Sequence, residues 1–340
     1  MVLQACSIYD VLVVCLLAPL FVVRIIHYII DRVLLRDSDA VFAVDSFSKE
    51  FRYVLHTNAC KLYRQHISPI EIRKGRRIQV LHIPAKNVSS ARGRVLLVHG
   101  ACARMQQLVF IIRDLMDKGY EIVSYDALGC GMSDKPHQAS AYSSHEMFAD
   151  MVAIIKHFSA KNMKWTCLIG HSIGGAMLAK FATAKECTNL TASVVLIAQP
   201  VIGSSSASHT SIFKLPVSIQ WLMRPWMGVK ARSILFGPKA TAALKNMERE
   251  ASARNPVYMF KAFYSSIDRS YLQISESLLL VPALFIGAEY DKICPATAIE
   301  AMSKRLGCKF VLAKECGHQC MQEDPDQVNE IIGKFLNSLE

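Results

Sequence analysis

The chain has 340 residues, enough for one large α/β domain with additions, and 52% of them are hydrophobic. With a positive mean hydropathy, that content excludes an intrinsically disordered protein. The 39 Lys and Arg against 28 Asp and Glu leave a formal charge of +11, which favours anionic partners. No nucleic-acid-binding motif is present, so an anionic membrane surface is expected and nucleic acid is not. The 11 cysteines form no CxxC pair and no even framework, which predicts free thiols in a reducing compartment. Cys316 and Cys320 flank His318, but without a second matching pair they do not read as a zinc site, and no metal is expected.

Residues 11–30, VLVVCLLAPLFVVRIIHYII, reach the length of about 20 needed to cross a bilayer core as a helix. Arg24 and His27 interrupt the run near its C-terminal end, where a long side chain can snorkel to the interface. No Lys or Arg precedes the run, so a cleaved signal peptide with a basic start is disfavoured. Residues 1–36 are therefore assigned as a membrane anchor, spanning or monotopic, against the alternative of an apolar helix packed on the protein body. Arg24, Arg32 and Arg36 lie at one end only. Basic residues next to a span stay cytoplasmic, so the rest of the chain is expected to face the cytosol, at the endoplasmic reticulum or a lipid droplet. On that reading the sequons at Asn87 and Asn189 carry no glycan. Residues 37–69 read as a helical connector.

From Ile70 the pattern changes. Residues 70–72 and 77–83 alternate with period two around Lys74-Gly75, which predicts an antiparallel hairpin. A polar loop over 86–93 leads to a strand over 94–98 ending in His99-Gly100-Ala101. A helix is expected over 105–118 and a strand over 120–125, followed by Asp126-Ala127-Leu128-Gly129-Cys130-Gly131-Met132-Ser133. Residues 144–159 read as an amphipathic helix with Ser144 as its cap.

Residues 165–169 form a short apolar run before Gly170-His171-Ser172-Ile173-Gly174 and the helix-like AMLAKFATAK. This is G-x-S-x-G between strand and helix, the setting of a strained turn that presents a nucleophilic serine. The following helix aims free N–H groups at a developing oxyanion. Further strands are expected over 193–198, 283–287 and 309–313, with helices over 295–306 and 325–339. Strands alternating with helices imply a mainly parallel sheet covered on both faces. Residues 201–280 break that rhythm. They carry aromatic, helix-like pieces with ten Lys and Arg against four Asp and Glu, and read as a helical cap after the sixth strand. Such a cap suits a lid over an apolar acyl pocket with a basic rim; a solvated charged surface is the bland alternative. The core is then 70–200 with 281–340.

From about Ile70 onward the chain resembles the α/β-hydrolase superfamily in its capped, lipase-like branch. The resemblance rests on His99-Gly100, the Asp126–Ser133 loop, the elbow at Ser172, the run Gly287-Ala288-Glu289-Tyr290-Asp291, and Gly317-His318, all in family order. The cap is similar to that of the abhydrolase-domain-containing proteins, in the branch numbered eight. The resemblance implies an eight-stranded sheet and a catalytic Ser172–His318–Asp291 triad with no cofactor. A serine hydroxyl needs a base as it attacks; His318 is that candidate, and a carboxylate holds its tautomer and stabilises the imidazolium. Glu289 is a rival for the acid, but Asp291 matches the family's loop, and no acid follows the sixth strand, at Ala198-Gln199-Pro200. His99 would brace the oxyanion turn and His171 would pack below the serine. The oxyanion donors are expected to be the backbone N–H groups of Ala101 and Ile173. Dehalogenases and epoxide hydrolases of this fold use an aspartate at the elbow, which Ser172 contradicts. An acyltransferase His-x4-Asp pattern is absent, Glu323 being the fifth residue after His318. The expected function is hydrolysis of a lipid ester, acylglycerol or lysophospholipid-like. The alternatives are a thioesterase or acyltransferase on the same triad, and a catalytically retired scaffold at a membrane.

Overall fold

The computed structural model describes residues 65–85, 91–159, 164–201 and 211–339, apart from 254, 269, 273 and 275–277, together with 18 and 22. The anchor over 1–36, apart from 18 and 22, the sequon at Asn87 and most of the connector lie outside the described residues. Among the described residues no helix is long and apolar enough to cross a membrane.

Eight strands run in chain order as β1 (Ile67–Arg73), β2 (Arg76–Ile83), β3 (Arg94–Val98), β4 (Glu121–Asp126), β5 (Cys167–His171), β6 (Val194–Ile197), β7 (Ala283–Ala288) and β8 (Lys309–Ala313). The main helices between and after them are α1 (Val109–Asp117), α2 (Ser144–His157), α3 (Ile173–Ala182), α4 (Val217–Leu235), α5 (Ala242–Ala253), α6 (Val257–Ser266), α7 (Ala296–Arg305) and α8 (Pro325–Asn337). The sheet order is β1-β2-β4-β3-β5-β6-β7-β8. β2 pairs antiparallel with both β1 and β4, and every later pairing is parallel.

The strands from β3 to β7 are apolar and almost wholly buried because both faces of the sheet are covered. Their side chains divide by alternation. Leu96, Leu168, Leu196 and Phe285 enter a core with α2, α3, α7 and part of the cap. Val95, Leu97, Ile169, Ile197 and Ile286 enter the opposite core with α1 and α8. Each such side chain contributes about 1.5–3 kcal/mol on burial. The two cores clamp the C-terminal ends of β3, β5, β7 and β8, where the chemistry-bearing loops emerge.

Some expected boundaries move. β1 starts at Ile67, inside the stretch read as connector, because Ser68 and Pro69 also find partners on β2. The expected helix over 105–118 splits into a 3-10 turn, Met105–Leu108, and α1. Ser143, not Ser144, caps α2, its hydroxyl accepting from Glu146 N–H. Trp165 makes only an isolated bridge to Thr191, so β5 begins at Cys167. The cap lies between β6 and β7 and consists of α4, α5 and α6 with a short turn, Ser211–Lys214. Its Met259, Ala262 and Phe263 join the first core.

Candidate active site

β5 runs directly into α3 through Ser172, whose backbone sits at φ +52°, ψ −121°. That conformation is sparsely populated for a residue with a Cβ and costs about 1–3 kcal/mol. Its neighbours enforce it. Ser172 N–H donates to Ile197 O at 2.8 Å. A Cβ on Gly170 would stand 2.7 Å from the Gly174 backbone, and one on Gly174 would stand 2.6 Å from the carbonyl oxygens of Val98 and His99. Both glycines are required for the helix to approach the sheet this closely.

The loop after β8 carries His318 to this serine. Ser172 Oγ lies 3.0 Å from His318 Nε2, and His318 Nδ1 lies 2.8 Å from Asp291 Oδ2. Asp291 comes from the loop after β7 and is itself fixed: its Oδ1 accepts from the N–H groups of Ile293 and Cys294, both at 2.8 Å. All three side chains are buried. Burial alone would depress the His318 pKa, but the Asp291 charge and hydrogen bond outweigh it and raise the ring above its ordinary value. Glu289 points elsewhere, its Oε2 accepting from Glu315 N–H at 2.8 Å. The structure thus brings Asp291, and not Glu289, to the imidazole.

The other two histidines brace this frame. His99 Nε2 accepts from Ala127 N–H at 2.9 Å and its Nδ1–H donates to Gly100 O at 2.7 Å. This fixes the tautomer, and burial lowers its pKa. His171 Nε2–H donates to the carbonyl of His318 at 2.9 Å. Burial, helped by the His318 charge, pushes its pKa down to about 3, so the ring stays neutral. The Asp126 loop holds the turn after β3 in place. Asp126 Oδ1 accepts from Met105 N–H at 2.8 Å and Oδ2 from Met132 N–H at 2.9 Å. A Cβ on Gly131, at φ +47°, would collide with that carboxylate. Ser133 Oγ–H donates to Asp126 O and its oxygen accepts from Gln79 N–H.

Ser172 and His318 open on a cavity of about 880 Å³, within the range of small-molecule sites. Ala101 and Ile173 line it together with Gly100. Ile173 is the first residue of α3, so its N–H has no intrahelical acceptor. One wing is mostly apolar, between Ala176 and Ala179 of α3, Ala298, Ala301 and Met302 of α7, and Phe263, Leu272 and Ile274, with Gln199 and Arg305 also in the lining. Gln107 and Gln319 line it as well.

Sequence reasoning missed several contributors. Cys294 is buried beside the triad, and among the described residues its sulfur forms the one cluster of possible metal donors, with Asp291 and His318, all within 4.8 Å of one another. Cys316 and Cys320 do not join such a cluster; they pack in the core with α8, where burial pushes the Cys316 thiol up to about 12. None of the eight described cysteines is in a disulfide. Glu323 is a second omission: it accepts from Gly317 N–H at 3.0 Å and from Gly237 N–H at 2.8 Å. Gly237 follows α4, and a Cβ on either glycine would strike the backbone of the other loop. The end of α4 is thus bolted to the His318 loop, with Gln319 N–H donating to Leu235 O at 3.3 Å.

The sheet order, the strained serine at the β5–α3 turn and the ordered loops together define an α/β-hydrolase. Comparison with known proteins agrees. The chain belongs to the family Hydrolase_4, serine aminopeptidase S33, which matches it over residues 89–325. It is 29% identical over 276 residues to Protein ABHD8 of Homo sapiens, covering 76% of this chain and 60% of that protein. The likeness to the abhydrolase branch numbered eight is therefore present along most of the chain, which spans about 60% of the length of those curated relatives. Among solved structures it is similar to an esterase from Exiguobacterium antarcticum (TM-score 0.65, 18% identity, 79% of this chain and 99% of that one). It is equally similar to a bromoperoxidase from Bacillus anthracis (TM-score 0.66, 17% identity, 80% and 99%). Likeness at that distance shows the fold alone.

Proposed function

We propose that the protein is a serine ester hydrolase that cleaves lipid esters, acylglycerol or lysophospholipid-like, through an acyl-enzyme on Ser172. The observation that carries this reading is the buried hydrogen-bonded chain Asp291–His318–Ser172 opening on a largely apolar cavity. His318 takes the Ser172 proton as Oγ attacks the ester carbonyl, and Asp291 stabilises the imidazolium. The N–H groups of Ala101 and Ile173 hold the oxyanion. His318 then protonates the departing alcohol, and water, activated by the same ring, releases the acid. No metal or organic cofactor takes part in this scheme.

The lipid assignment draws support from the apolar cavity wing and from the cap surface. α4 leaves Trp221 and Trp226 45% and 50% exposed, with Ile219 and Val229 also exposed, and the cap segment carries an excess of basic residues. Aromatic and basic groups together suit an anionic lipid interface. The N-terminal apolar run completes this reading as an anchor, with the catalytic unit on the cytosolic side.

Ser172→Ala tests the central claim. It should lower kcat on a short p-nitrophenyl ester by about 10⁶-fold and abolish labelling by a fluorophosphonate probe, with the far-ultraviolet spectrum unchanged. Activity that survives the substitution refutes it, and an intact protein that no probe labels would favour the retired scaffold.

A further inference from the structure

Gln107 and Gln319 line the cavity and are only 5% and 4% exposed. Each buries a side-chain amide oxygen that has no hydrogen-bond donor among the described residues. The orientation of the Gln107 amide is fixed, because its Nε2–H donates to Glu248 Oε2 at 2.9 Å and an inverted amide would set oxygen against oxygen. Glu248, on α5 of the cap, is 6% exposed. Its Oε1 accepts from Gln322 Nε2–H at 3.2 Å, and Gln322 also buries an unpaired Oε1. Gln107 and Gln322 thus both donate to the buried Glu248 while their own amide oxygens lack a donor, and Gln319, whose amide oxygen also lacks one, lines the same cavity as Gln107. A buried acceptor without a donor is costly in a folded protein.

The place of this cluster in the site follows from the chemistry. The departing alcohol receives its proton from His318 Nε2, so it leaves on the His318 side. Gln319 is the next residue in the chain, and Gln322 is on the helical turn that follows, Cys320–Glu323. The alanine-lined wing between α3 and α7 has no such group set and suits the acyl chain. Gln199, on that wing, donates its Nε2–H to Met302 Sδ and also leaves its Oε1 without a donor, but it makes no hydrogen bond to a carboxylate among the described residues.

We propose that Gln107 and Gln319, backed by Glu248 and Gln322, form the leaving-group subsite, and that it selects an alcohol carrying further hydroxyl donors and no anionic group, a glycerol-like polyol. The inference rests on the ester-hydrolase reading and sharpens it, since it separates an acylglycerol from a lysophosphatidate-like ester. The polyol hydroxyls supply the donors that the amide oxygens lack, whereas a phosphate would set further acceptor oxygens against them.

The test uses inert ethers, so that binding is read without turnover. Calorimetric titration of the full chain compares 1-O-hexylglycerol, hexyl methyl ether and 1-O-hexylglycerol 3-phosphate. Hexylglycerol should bind at least about tenfold more tightly than the methyl ether, and more tightly than its phosphate. In Gln107→Met and Gln319→Met, which keep length and remove the acceptor, the ratio of the first two affinities should fall toward one. A ratio taken within one sample cancels any loss of folded protein. Equal affinities, a ratio that neither variant lowers, or tighter binding of the phosphate overturns the proposal. Hydrolysis of methyl hexanoate by wild type and Ser172→Ala reads the parent hypothesis separately, because it involves no polyol.

Discussion

The sheet with its elbow and the cap are built on opposite terms. Around Ser172 the backbone is dictated by contact: two glycines admit no Cβ, and His99, His171 and Asp126 each spend hydrogen bonds on loop backbone. In the cap, α4 exposes Trp, Ile and Val side chains, while the ties to the body are both apolar, through Met259 and Phe263, and polar, through Glu248. The difference teaches where each property resides. Bond-breaking geometry belongs to the sheet and its loops, and the cap is free to vary away from its Gly237 junction with the His318 loop.

The sharpest way to break this division is at the acid. Asp291→Asn should lower kcat by about 10⁴-fold, because an amide can hold the wrong tautomer of His318. Glu289→Gln, two residues earlier in the chain and accepting from Glu315 N–H, should stay near wild type on a soluble ester. Similar losses in both would mean that the carboxylate at the ring has been misassigned.

Acidity gives an intermediate effect. Protonated His318 cannot accept the Ser172 proton, so kcat/KM should fall about tenfold per pH unit below its pKa. That pKa is raised because the Asp291 charge outweighs burial, so the limb should lie above 6.5, the ordinary imidazole value. Stability runs the other way. The charged His318–Asp291 pair contributes fully below 6.5 and is lost as pH rises through the raised value, so the melting temperature should decline over the range where activity climbs. A limb at or below 6.5 on a soluble ester would contradict the pairing.

The smallest effect should come from the cap surface. Trp221→Ala with Trp226→Ala should reduce activity on anionic vesicles several-fold and leave turnover of a soluble ester within about twofold. Equal losses on both substrates would show that the tryptophans hold up the cap instead of meeting lipid.

Legibility followed the same division. β3 and β8 have the bounds their apolar runs announce, and the loops bearing Ser172, Asp291 and His318 announce themselves through glycine and short polar turns. Such signals survive in sequence because they answer to backbone sterics. The cap expected at Ser144 falls on Ser143, because two adjacent serines are equivalent until the chain chooses where to turn. β5 begins two residues later than its apolar run, because Trp165 is as apolar as a strand residue but makes only an isolated bridge. Gln107, Gln319 and Glu248 carry no periodic signal at all. Nothing in a single glutamine tells whether it is solvated or sealed against a distant carboxylate, since that depends on how a cap 140 residues later settles.

The close approach of Gly237 and Gly317 sets a rule for exchanging parts between hydrolases of this kind. The boundary of a transplanted cap cannot be drawn at the end of α4, because Gly237, two residues beyond it, is fitted to the loop that carries His318. A donor cap arriving with any side chain at 237 would press on the backbone of residues 316 and 317 and carry His318 off Ser172. A working chimera would keep Gly237, Glu323 and the His318 loop from one parent, so that the cap and the catalytic base are inherited together.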